Sequence, residues 1–189
     1  MIEKVRCGWV PLHKPIYVKY HDEEWGVPVR DDQKMFEFLV LESFQAGLSW
    51  EIVLNKRDNF RKAFAGFDFN KVALFDEAKV QSLLQDKGIV RNQLKIRAAI
   101  NNAQRYLEII REFGSFCTYF WGFSNGKPLT NQFMVLGDIP ASTELSNTIS
   151  KDLKTRGFKF LGTTVVYAHM QAVGMVNDHL KECFRYTQV

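Results

Sequence analysis

The chain holds no apolar run of about 18 residues or more, so no helix is expected to span a membrane. Its opening stretch, MIEKVRCGWV, has no apolar h-region, which argues against a secretory signal. Cysteine is scarce. Cys7, Cys117 and Cys183 are too few, and odd in number, for a disulfide framework. A reducing, cytoplasmic setting fits them. Excess charge is small as well: 25 Lys and Arg against 21 Asp and Glu leave +4 over 189 residues. That permits an acidic partner such as nucleic acid without demanding one. There is no internal repeat, low-complexity tract or flexible linker, so residues 1–189 read as one globular unit. Strand-type alternation is nearly absent, with Phe158, Phe160 and Thr163–Val166 the only candidates.

What is present is apolar and helical. Hydrophobic residues make up 46% and charged residues 24%, well outside the disordered class. The length suffices to bury a core without staples. Asp31 or Asp32 is placed to cap a helix through Met35, Phe36, Leu39 and Val40 to about Ala46, with Gly47 ending it. A second helix starts after Ser49 and carries Trp50, Val53, Leu54, Phe60 and Phe64 at core spacing. Asp76 caps a short helix. A long one follows Gly88, roughly Asn92 to Arg111. Turn residues between Gly122 and Ala141 mark a long connection. Ser142 or Thr143 opens a helix ending at Gly157, and Thr163 or Thr164 opens the next. The expected fold is all-α.

Four constellations bear on chemistry. Cys7, His21, His179 and Cys183 offer two thiolates and two imidazoles, with His179 and Cys183 at i, i+4. That set suits a closed, structural zinc site joining the two ends of the chain. The alternative is two buried cysteines and a surface histidine. Glu42 lies three residues after Leu39 and four after Phe38, which turns it inward on a helix. A buried carboxylate must be paired, hydrogen-bonded or neutralised, and an unexplained one is a functional candidate. Its alternatives are a solvent-facing turn or a core arginine. Trp9, Tyr17, Tyr20, Trp25 and Trp50 would suit a flat cationic ligand next to one carboxylate, or plain core packing. The turn in LLQDKGIVRNQLKI, Leu83–Ile96, has the outline of a helix–hairpin–helix aimed at a phosphate. Lys87, Gly88 and Arg91 would meet DNA there, with Lys95 adding charge.

RCGW at Arg6–Trp9, YHDEEWGVP at Tyr20–Pro28, LESFQAGLSW at Leu41–Trp50, GFKFLGTT at Gly157–Thr164 and MQAVGMVNDH at Met170–His179 occur in one order across the whole chain. Together they closely resemble the bacterial DNA-3-methyladenine glycosylase I family. The resemblance implies a helix–hairpin–helix glycosylase fold and excision of 3-methyladenine from alkylated double-stranded DNA. It implies one structural zinc on Cys7, His21, His179 and Cys183. It also implies a base pocket formed by Glu42, Tyr20 and Trp50, with Trp9, Tyr17 and Trp25 near it. Gln45 and Leu48 fall where a wedge would fill the gap left by a flipped base. Phe44 departs from the family pattern beside that pocket.

Many helix–hairpin–helix glycosylases place a catalytic Asp soon after the hairpin. No Asp occurs here between Asp86 and Asp138, as this subfamily would have it. No lysine nucleophile is implied, so a monofunctional enzyme is expected. No obligate protein partner is implied, and the expected state is a monomer. The competing readings are a non-catalytic lesion binder of the same fold and a broader alkylbase glycosylase. A zinc hydrolase is disfavoured because four protein ligands leave no metal-bound water.

Overall fold

A computed structural model describes residues 4–189. Its helices are α1 (Pro15–Glu23), α2 (Asp32–Gln45), α3 (Trp50–Asn55), α4 (Arg57–Ala63), α5 (Phe69–Val72), α6 (Glu77–Gln85), α7 (Gln93–Phe113), α8 (Phe116–Gly122), α9 (Glu144–Thr155) and α10 (Thr163–Ala172). The fold is mostly helical. Two short strands, β1 (Leu129–Thr130) and β2 (Val176–Asn177), pair in parallel.

Local chemistry sets most helix starts. Asp31 Oδ1 accepts from Lys34 N at 2.8 Å, Asp76 Oδ1 from Lys79 N at 2.8 Å, and Asn92 Oδ1 from Lys95 N at 3.1 Å. Each satisfies an orphan donor of a first turn. Thr143 and Ser146 cap α9 reciprocally, the capping-box arrangement.

The centre of the molecule is α2. All ten residues from Met35 to Phe44 are buried, and α2 packs against α3, α7, α8 and α10. A helix enclosed on every side has no polar face to spare. This is why its acidic residues, Glu37 and Glu42, end up inside.

The structure departs from the sequence expectations in several places. The helix expected to run from Ser49 through Phe64 breaks at Lys56 (φ −97°, ψ 0°), giving α3 and α4. The break turns Phe60 and Phe64 onto Phe44, with ring centroids 4.9 and 5.8 Å away. Phe44 therefore fills the core behind α2 and does not line the cavity described below. Periodicity did not reveal α1 or α8. Pro15 opens α1, where its missing N–H costs nothing. Ser115 caps α8, and Asp32 accepts from the N–H groups of Phe116 and Cys117 across 84 and 85 residues of chain. Neither Phe158 nor Phe160 lies in a strand, and Thr163–Val166 is the first turn of α10. The pairing that exists joins the long connection to the C-terminal segment, through Leu129 N to Met175 O at 2.9 Å and Asn131 N to Asn177 O at 3.1 Å.

Candidate active site

Three segments converge on a cavity of about 510 Å³. Helix α1 supplies Tyr17 and Tyr20, three residues apart and so on one face. The end of α2 and the start of α3 supply Glu42, Gln45 and Trp50. Helix α10 contributes Ala168 and Gln171. Trp9, Trp25, Leu136 and Ile139 complete the lining. All six residues proposed from sequence for base binding, Glu42, Tyr20, Trp50, Trp9, Tyr17 and Trp25, meet here.

The aromatic rings lining the cavity pack in two groups. Tyr20 lies 5.2 Å from Trp50, and Trp9 lies 6.2 Å from Tyr17 and 5.0 Å from Trp25, by ring centroids. The Trp50 indole N–H is buried without a partner. An acceptor entering the cavity, or a water, would satisfy it.

Glu42 is 4% exposed and its carboxyl makes no hydrogen bond among the described residues. Neither sequence alternative holds, because it is not turned to solvent and no arginine reaches it. Arg57 is engaged elsewhere: Nη1 and Nη2 hold Glu24 at 2.8 and 2.7 Å, and Nε holds Glu37 at 2.7 Å. That fork clamps the end of α1 to α2. Burial alone pushes the Glu42 carboxyl up to about 8, so burial favours its protonated form at neutral pH. A cation entering the cavity reverses that preference.

Two backbone ties hold α10 against the turn after α1: Gly26 N donates to Gln171 O and Val29 N to Val173 O, each at 3.0 Å. The approach requires Gly174, whose φ is +70° and where an added Cβ would lie 2.4 Å from the Val27 carbonyl carbon. Sequence reasoning missed Leu136, Ile139, Ala168 and Gln171. The first two sit in a turn-rich connection and Ala168 on an apolar helix, none with a polar signal. Gln171 lay inside the MQAVGMVNDH block, where it could have been flagged.

Behind the Trp9–Trp25 wall lies a sulfur–nitrogen cluster. The ligand atoms of Cys7, His21 and Cys183 all lie within 4.8 Å of one another, all buried. His179 is beside them, its ring centroid 5.0 Å from that of His21. The three clustered donors are of the types zinc takes, and His179 lies outside that cluster, next to His21. His21 Nδ1 is bonded to Asp22 Oδ1 at 2.8 Å and His179 Nδ1 to Asn177 Oδ1 at 2.9 Å. That leaves Nε2 of each ring as the ligating atom, the usual outer-shell arrangement. His179 Nε2 is buried with no partner, as an atom awaiting a metal would be. Donation from Cys7 holds the Cys183 thiol below the ordinary thiol range and Cys7 above it.

The DNA-binding candidates fall in two places, the end of α2 with the loop after it and the α6–α7 turn. Gln45 Nε2 donates to Leu48 O at 2.9 Å, which shapes the loop between α2 and α3. Leu48 is half-buried at its tip. Helices α6 and α7 pack on each other across a short turn in which Lys87 and Arg91 are exposed. Gly88 serves the turn itself. Its N–H is taken by Asp86 Oδ1 at 2.7 Å, and a Cβ there would lie 2.9 Å from the same oxygen. Lys95 is a correction: it is buried, with Nζ donating to Phe44 O at 2.8 Å and also to Ala46 O. It caps the end of α2 and contributes no surface charge to the turn.

A mostly helical fold around an aromatic cavity with one unpaired buried carboxyl defines a protein built to enclose a flat, positively charged ring. The family model for methyladenine glycosylase matches residues 9–186, and the chain belongs to that family. It is 50% identical over 181 residues to DNA-3-methyladenine glycosylase 1 of Escherichia coli (strain K12), covering 96% of each chain. It superposes on a crystal structure of 3-methyladenine DNA glycosylase I with a TM-score of 0.92 at 48% identity, covering 95% of this chain and 98% of that one. For the Staphylococcus aureus 3-methyladenine DNA glycosylase I, in a structure describing 3-methyladenine recognition, the TM-score is 0.88 at 38% identity, with 90% and 91% covered.

Proposed function

We propose that this protein is a monofunctional DNA glycosylase that flips 3-methyladenine out of alkylated duplex DNA and cleaves its N-glycosyl bond. The observation that carries the reading is the unpaired carboxyl of Glu42 in an aromatic cavity, in a chain of this family. Methylation at N3 places a positive charge on adenine, which makes it a good leaving group already. The protein's task is to extract the base, hold it and reject ordinary adenine. Flipping costs a few kcal/mol and is easier for a damaged base.

In this reading Tyr20 and Trp50 sandwich the ring, and Trp9, Tyr17 and Trp25 keep water from it. Glu42 ionises as the cation enters and accepts hydrogen bonds from the base edge. Neutral adenine offers no charge to offset ionising a buried carboxyl. The base takes the bond electrons and leaves as neutral 3-methyladenine, and water adds to the anomeric carbon of the sugar and gives up a proton to solvent. Zinc, held by Cys7, His21, His179 and Cys183, would supply structural closure and no step of the reaction.

The deciding experiment is base release from methylated duplex DNA, with products separated by chromatography. Selective release of 3-methyladenine over 7-methylguanine is expected, with no adduct trapped by borohydride. Lesion binding without release would instead indicate a binding module.

Lys87 and Arg91 are proposed to hold the DNA backbone, and Leu48, shaped by Gln45, to fill the gap in the helix. The Gln45→Ala, Leu48→Ala double variant is expected to lose excision from duplex DNA about tenfold, an effect on the order of 1–2 kcal/mol from apolar surface no longer buried. Binding of free 3-methyladenine, read by tryptophan fluorescence, should be retained. Unaltered duplex excision would remove the wedge assignment.

A further inference from the structure

Gln171, on α10, lines the same cavity as the tyrosines. Its amide is not free to turn. Nε2 donates to Asp178 Oδ2 at 2.8 Å. Asp178 is itself fully buried and held by two further donors, the Tyr167 hydroxyl on Oδ2 at 2.6 Å and Asn131 Nδ2 on Oδ1 at 2.6 Å. A carboxylate only accepts, so the NH2 of Gln171 must face it. Rotating the amide would set oxygen against oxygen. The group left for the cavity is Oε1, an acceptor with no donor among the described residues.

Glu42 and Gln171 therefore line one cavity from two packed helices, α2 and α10, and both present acceptors once Glu42 has ionised. Adenine carries an amino group at the 6-position where guanine carries a carbonyl oxygen. We propose that Gln171, with its amide locked by Asp178, is a specificity-determining residue that accepts a hydrogen bond from the 6-amino group of the flipped base and so disfavours alkylated guanine. The inference rests on the glycosylase reading and deepens it. An oxygen facing Gln171 Oε1 gains no hydrogen bond and leaves a desolvated acceptor unpaired. Asp178 is a positioning residue, acting only through the amide it orients.

The test uses the full chain and methylated duplex DNA, with release of 3-methyladenine and of 3-methylguanine measured separately. Gln171→Met keeps the length of the side chain and removes the acceptor. It should lower the preference for 3-methyladenine over 3-methylguanine about tenfold, the size of one hydrogen bond, with helicity by circular dichroism unchanged. Asp178→Asn frees the Gln171 amide to rotate and should lower the same ratio. On the Gln171→Met background it should lower it no further. A wild-type protein that releases neither base would defeat the glycosylase reading itself. A wild-type protein that excises 3-methyladenine, with a folded Gln171→Met variant of unchanged ratio, would overturn the role of Gln171 alone. If Asp178→Asn fails to fold, Gln171→Met still decides the case.

Discussion

Glu42→Gln is expected to lower excision of 3-methyladenine by about 10- to 100-fold, the span of a hydrogen bond to a charged partner, while making the folded protein more stable. The two effects share one cause. The carboxyl has no partner in the empty cavity, and burial raises it to about 8 from an ordinary 4.5. Below pH 4.5 it is protonated in both folded and unfolded chains and has no pH-dependent effect. Between pH 4.5 and 8 the folded state holds a proton that the unfolded state has released. Stability therefore falls as pH rises, by about 1.4 kcal/mol per pH unit. Above 8 the loss is complete. Glutamine has no such proton, so the difference between variant and wild-type stability should widen in that window and then level. Denaturant unfolding at pH 5, 6.5 and 8.5 measures it. Parallel curves for the two proteins would show that Glu42 is not held in an unpaired, dry position. The same proton should appear on binding: near pH 6.5, entry of a cationic base ionises Glu42 and releases close to one proton, visible as buffer-dependent binding heat.

That instability also bears on specificity. A carboxyl kept neutral by burial does not attract cations from a distance. It favours only one that has displaced the cavity water and come within hydrogen-bond reach. Undamaged bases sampled in the cavity meet a neutral acid with aromatic walls and gain little. The Arg57 fork matters here too. Were Arg57 turned toward Glu42, the carboxyl would already be ionised and paired, and the lesion's charge would compete with a resident one. Glu24 and Glu37 hold it away.

How far the sequence could be read depended on how local each determinant is. The caps Asp31, Asp76, Asn92 and Thr143 act within one turn, and each starts the helix it was expected to start. Glu42 was legible as a polar residue in an apolar run. Its lack of a partner was not, because that depends on Glu24 and Glu37 capturing Arg57 from other helices. Lys95 reads as a basic residue beside a hairpin, yet its ammonium closes the carboxyl end of α2, 49 to 51 residues earlier. The β1–β2 pairing was invisible, since two residues per strand leave no alternation to detect. Gln171 is a subtler case: the residue was readable, but the direction of its amide is set by Asp178, Tyr167 and Asn131 together.

Cys183→Ser is expected to remove the bound zinc, lower stability and weaken base binding at once. The zinc proposed here joins residues 7 and 21 to residues 179 and 183, closing nearly the whole chain. Without it, His21, His179 and Cys7 keep buried polar atoms with too few partners, at about 1–3 kcal/mol for each unsatisfied group. A loss of about 3 kcal/mol would lower Tm by about 10 °C in a chain of this size. The cavity should feel the change because the clasp backs its wall. Trp9 lies 5.3 Å from the His21 ring and Trp25 lies 4.6 Å from the His179 ring. If the histidines lose their anchor, both tryptophans lose the surface they rest on. The expected pattern is a metal content near zero, a lower melting point, and a raised KM for excision at temperatures where the variant remains folded. Cys117→Ser provides the contrast: Cys117 is buried near Asp32, away from the cluster, so its zinc content should be unchanged. A Cys183→Ser protein that retains a full equivalent of zinc and melts with the wild type would remove Cys183 from the ligand set. A wild-type protein whose melting and zinc content resist prolonged chelation fits a closed site, whereas one that never contains zinc would leave the cluster as a pair of hydrogen-bonded thiols.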